Sequence, residues 1–97
     1  KPCRLKYQKE QTRKRRYVCL VHYSGGPPVC ACCGEREVRF LTIDHVAGRG
    51  AAHRRVIGRQ PLDRWLRRNG YPIGYQVLCW NCNMAKGQGE TCPHQFA

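Results

Sequence analysis

Acidic residues are scarce in this chain. Only six Asp and Glu stand against 18 Lys and Arg over 97 residues, a formal net charge of +12. A surplus of that size on so small a body predicts an anionic partner, with nucleic acid ahead of membrane lipid. Long apolar runs are missing too. None approaches the roughly 20 residues of a spanning helix, and the basic N-terminal stretch has no apolar face with which to lie on lipid. A secretory leader pattern is also lacking. Methionine is nearly absent: Met84 is the only one and the chain starts at Lys1, so it reads as a processed or excised piece.

Cysteine, by contrast, is abundant, with eight in the chain. A core of this size is marginal alone, and disulfides or a structural metal are the usual remedies. Four disulfides in a secreted protein are one reading. The spacing favours the other: Cys30-Ala31-Cys32-Cys33-Gly34 and Cys79-Trp80-Asn81-Cys82 are two C-x-x-C elements, suited to a tetrahedral zinc ion in a reducing cytoplasm. Cys32 could replace Cys30 or Cys33 as a ligand. Cys3, Cys19 and Cys92 read as plain buried or exposed thiols.

Local patterns predict one compact α+β domain. Residues 1–26 should be a basic N-terminal helix and linker, the helix running from about Leu5 to His22 and stopped by Ser24-Gly25-Gly26-Pro27-Pro28. Residues 27–97 should be a zinc-stabilised domain. Tyr17, Val18, Leu20 and Val21 form the patch that docks this helix on the core. Val38 to Ile43 reads as a strand with Val38 and Phe40 on one face, and residues 46–60 as a Gly- and Arg-rich loop. Pro61 opens a short helix to about Arg68, capped by Asn69-Gly70. Tyr75 to Leu78 is a second strand, followed by a short helix over Trp80 to Lys86. Trp65 and Trp80 are expected in the core.

Between the two cysteine pairs, Asp44 and His45 close an apolar run. A neutral imidazole is a suitable general base near neutral pH. A carboxylate and a side-chain amide oxygen are ligands for a hard divalent cation such as Mg2+ or Mn2+. Adjacent strand residues point to opposite faces, so His45 can face water while Asp44 faces metal, with Asn83 as second oxygen ligand. Zinc between the knuckles would fix the strand end against the helix that carries Asn83.

The set Cys30-x-x-Cys33, Ile43-Asp44-His45-Val46 and Leu78-Cys79-x-x-Cys82-Asn83-x-x-Lys86-Gly87 resembles the HNH endonucleases, the ββα-metal nucleases, from about Cys30 to His94. It is most similar to phage- and prokaryote-type members. The resemblance implies a ββα-metal motif, a catalytic divalent cation, DNA as substrate, and products with 5′-phosphate and 3′-hydroxyl. It makes His45 the general base, Asp44 and Asn83 the metal ligands, and Cys30, Cys33, Cys79 and Cys82 the zinc ligands. One departure stands out. Where the family has an Asn that steadies the catalytic His, this chain has Gly74 and Tyr75, so a backbone carbonyl is the candidate substitute.

Arg13, Arg16, Arg49, Arg54, Arg55 and Lys86 are candidate phosphate contacts; a solvated surface is the ordinary alternative. His53 could touch phosphate, add a metal ligand, or be an exposed loop histidine. Cys92 and His94 could bind a second metal or belong to a packed tail, and His22 reads as a helix dipole cap. The leading functional expectation is a DNA endonuclease. The alternatives are a non-catalytic zinc module that binds nucleic acid and a zinc-stabilised interaction domain of a larger protein.

Overall fold

The computed structural model describes residues 2–48 and 50–87, with side chains from residue 6 onward except that of residue 51. Arg49, Cys92 and His94 lie outside the described residues, as does the side chain of Cys3.

Helix α1 spans Pro2–Ser24. No breaker interrupts it after its first turn, and it ends where glycine permits a left-handed residue. Gly25 has φ 72°, and the N–H groups of Gly25 and Gly26 both return to Val21 O, at 3.0 and 3.3 Å. The helix would reach about 34 Å at 1.5 Å per residue, in a molecule measuring 50 × 29 × 23 Å. Its second half is the anchor. Cys19 and Leu20 are buried, Arg15 Nε meets Asp63 Oδ2 at 2.6 Å, and the Tyr23 hydroxyl donates to Pro72 O at 2.7 Å. Tyr17 and Val18, expected in the docking patch, are about half exposed. Leu20 of that patch is buried, and Cys19 is buried beside it.

A short 3-10 turn over Val38–Phe40 leads into strand β1, Leu41–His45. The strand thus starts three residues later than expected, and Phe40 is exposed. The partner strand explains this. β2, Tyr75–Cys79, pairs antiparallel with β1 in the register Leu41↔Cys79 through His45↔Tyr75. Beyond Cys79 the chain turns into helix α4, Trp80–Gly87, so residues 38–40 have no strand to pair with. Arg16 takes over that backbone: its guanidinium donates to the carbonyls of Val38 and Leu41.

Residues 50–57, read as loop from sequence, form helix α2, Gly50–Ile57. It ends at Gly58, φ 71°, whose N–H returns to Arg54 O at 3.1 Å. Helix α3, Leu62–Arg68, follows with Leu66 fully buried and closes at Asn69 and Gly70 as its cap residues predicted. The core is Leu20, Leu41, Val77 and Leu78 packed with Cys30, Cys79 and Cys82. Trp80 is outside it, 59% exposed, because the first turn of α4 turns Cys82 inward instead. α4 lies against both strands. The result is a small α+β fold with a two-stranded sheet and four cysteines gathered at one end of it. No helix among the described residues is long and apolar enough to cross a membrane.

Candidate metal centre and adjoining cleft

The four thiols of Cys30, Cys33, Cys79 and Cys82 all lie within 4.8 Å of one another. Two turns bring them together. In the first, Gly34 takes φ 82° and returns its N–H to Cys30 O at 3.0 Å, while Ala31 N pins the turn to Val77 O at 2.9 Å. In the second, Cys79 ends β2 and Cys82 sits in the first turn of α4. Zn–S bonds of about 2.3 Å in a tetrahedron give S···S edges of about 3.8 Å. The Cys33–Cys79 and Cys79–Cys82 sulfurs stand 3.7 and 3.5 Å apart. The donor set therefore fits a zinc-type ion, and Cys30 and Cys33, not Cys32, complete it.

The local polarity agrees. Burial pushes the Cys30 thiol up, but backbone N–H groups of Cys33, Cys79 and Cys32, with the Cys33 side chain, outweigh it and bring the thiol down to about 6. A thiolate cradled by N–H groups is the form that binds metal.

Beside this cluster, Asp44, His45 and Asn83 line one cleft of about 300 Å3, together with Gly50, Arg54 and Lys86. Asp44 is buried, 8% exposed. Its Oδ2 accepts from Gln76 Nε2 at 2.9 Å and from Lys86 Nζ at 2.6 Å; Oδ1 takes no part in either bond. Lys86 also donates to His45 O at 2.6 Å and Val46 O at 3.0 Å, so three oxygens match the three N–H donors of its ammonium. Asn83 Nδ2 donates to Thr42 Oγ1 at 2.8 Å, and that hydroxyl spends its only hydrogen on Leu78 O at 2.8 Å. The Thr42 oxygen can then only accept from Asn83, which fixes the amide with Oδ1 turned away from it. Two oxygen donors, on Asp44 and Asn83, are thus pre-oriented at the cleft.

His45 ends β1, opposite Tyr75, with the rings 4.9 Å apart. Its Nε2 lies 2.8 Å from His53 Nδ1. The neighbour of the imidazole is therefore a histidine of α2, not the expected backbone carbonyl, and His53 is not an exposed loop residue. Burial lowers the His45 pKa below the ordinary imidazole value and His53 lowers it further; Asp44 pulls it up, and Lys86 and Arg54 push it down.

The basic candidates divide. Arg54 reaches the cleft, Arg55 is exposed on α2, and Arg13 lines a groove between α1 and the 3-10 turn. Arg16 and Lys86 are engaged with backbone oxygens, as above. His22 stacks on Tyr71 at 4.6 Å. Thr42, Gln76 and Gly50 carry no chemical signature in sequence. Gln76 was findable only from the register that sets it opposite Asp44. No family model, curated protein or solved structure matched the chain.

Proposed function

We propose that this chain is a metal-dependent DNA endonuclease of the HNH, ββα-metal type. The observation that carries this reading is the convergence of Asp44, His45 and Asn83 on one cleft from the end of a strand and the adjacent helix. A divalent cation held by Asp44 and Asn83 would offset charge on the scissile phosphate and the departing oxygen. His45, kept neutral by its lowered pKa, takes the proton of the attacking water. Arg54 binds the phosphate at the cleft mouth, and the exposed cations of α1 bind the flanking backbone.

The test is cleavage of supercoiled plasmid with magnesium, manganese or EDTA. His45→Ala should retain zinc and DNA binding and lose about 10²–10⁴ in rate. Wild-type cutting by His45→Ala would refute the mechanism. One observation favours a non-catalytic zinc module that binds nucleic acid: the Asp44 carboxylate already faces the Lys86 ammonium at 2.6 Å. On that reading no divalent cation stimulates any cleavage.

A further inference from the structure

His53 is the side chain near the cleft that the nuclease reading leaves without a task. Its ring stands edge-on to Trp65, centroids 4.3 Å apart, and edge-on to His45 at 5.0 Å. The Tyr75 hydroxyl lies 3.4 Å from the same Nδ1 that faces His45. A ring boxed in this way presents Nδ1 as a fixed atom in front of His45 Nε2.

We propose that His53 is the positioning residue of His45. Its Nδ1 accepts the hydrogen of His45 Nε2–H, which sets the His45 tautomer and leaves His45 Nδ1 bare. The catalytic consequence rests on the nuclease reading; the placement does not. Two neutral imidazole nitrogens at 2.8 Å must be one donor and one acceptor. The surroundings decide which. With Nδ1 as acceptor, His53 carries its hydrogen on Nε2. That nitrogen and Gln60 Oε1 are both buried without a partner among the described residues, and both residues line one cavity of about 440 Å3. A donor and an acceptor there are complementary, whereas the reverse tautomer would put two bare acceptors in that cavity.

On the other edge of His45, a Cβ at position 50 would stand 3.3 Å from Nδ1. Glycine leaves that nitrogen open. When Nδ1 takes a proton from water, the ring becomes an imidazolium and its Nε2–H···Nδ1 bond to His53 becomes charge-assisted and stronger.

The experiment uses the zinc-loaded full chain, 15N-labelled, with imidazole nitrogen correlations recorded above neutral pH. His45 should appear as the Nε2–H tautomer. His53→Ala should convert it to a mixture. His53→Asn, whose Oδ1 falls near the position of Nδ1, should keep it. In plasmid cleavage, His53→Ala should lower kcat by about 10–100-fold, the usual cost of losing a group that orients a functional imidazole, with KM little changed and His53→Asn recovering most of the loss. Should His53→Ala not fold, His53→Gln makes the same comparison, since it keeps bulk but moves the acceptor. An unchanged His45 tautomer in a folded His53→Ala or His53→Gln chain overturns the proposal, as does an Nδ1–H tautomer in wild type. The expected tautomers in a wild-type chain that cuts no DNA would uphold the placement of His53 and defeat the nuclease reading alone.

Discussion

Removing metal from the cysteine cluster should unfold the chain rather than merely loosen one end. Three of the four thiols, those of Cys30, Cys79 and Cys82, are themselves core residues. They pack with Leu20 of α1, Leu41 of β1 and Val77 and Leu78 of β2, so α1, both strands and α4 share one cluster with the thiols. Zinc binding in small domains is worth about 10–16 kcal/mol, against a typical net stability of about 5–15 kcal/mol. Losing one thiolate in four should cost about 2.5–4 kcal/mol on that scale. At roughly 4–8 °C per kcal/mol for a domain of this size, the midpoint should fall by at least about 10 °C. The assay is chelator titration followed by helical circular dichroism, with zinc counted by elemental analysis, on wild type and on Cys→Ser variants at positions 30, 32, 33, 79 and 82. One zinc per chain is expected, lost with helicity on chelation. Cys32→Ser should keep its zinc and the other four should not. A chelated chain, or a Cys79→Ser chain, that melts where wild type does would refute the reasoning.

Three further outcomes follow from the same geometry. On the nuclease reading, Gly50→Ala should slow plasmid cleavage by about tenfold with zinc content unchanged, because its Cβ would crowd His45 Nδ1 at 3.3 Å; an unaltered rate would show that this nitrogen is not the base. Deleting residues 1–12 removes Lys1, Arg4, Lys6 and Lys9 but spares the anchors Arg15 and Arg16; on the DNA-binding reading the log–log salt slope should flatten by about 2–4 units at about 0.9 per phosphate, equally for all DNA sequences. Burial, with Asp63 nearby, pushes the Cys19 thiol from 9.0 up to about 11. A pKa raised on folding gives stability that is present at lower pH and lost as pH rises from about 9 to 11; denaturant melts should show a steeper alkaline loss for wild type than for Cys19→Ala.

The elements legible in the sequence were those with local punctuation. α1 ends where Ser24-Gly25-Gly26 says it must, and α3 lies between Pro61 and Asn69-Gly70. β2 and α4 were legible because the second cysteine pair marks their junction. β1 was misplaced because its start is set by a partner. Val38 and Phe40 have good strand propensity, but the register puts Leu41 opposite the last residue of β2. α2 was missed because Gly48 and Gly50 looked like loop. The helix that follows is short and basic, and it packs on α3, a contact no local pattern announces. His53 was misjudged for the same reason: once residues 50–57 are helical, it turns toward His45 and Trp65 instead of solvent.

The cleft and the metal centre are mechanically one object. Asn83 follows Cys82 directly in α4, and its amide is held by Thr42, whose hydroxyl is in turn held by Leu78 O, one residue before Cys79. Asp44 is oriented by Gln76 from β2 and by Lys86 from α4, the two elements that meet between Cys79 and Cys82. Neither side chain is placed by its own backbone alone: Asp44 is held by neighbours on β2 and α4, the elements that carry Cys79 and Cys82, and Asn83, itself on α4, is held by Thr42 of β1. Within this arrangement Lys86 does two things. It neutralises Asp44, and by gripping His45 O and Val46 O it fastens the end of β1 to α4. On the nuclease reading, the same ammonium lowers the local demand for a second cation, so the affinity of the cleft for a divalent ion should be modest until a phosphate adds its own negative charge. On that reading metal and a phosphate bind together rather than in sequence, each favouring the other because the cation offsets the charge of the phosphate.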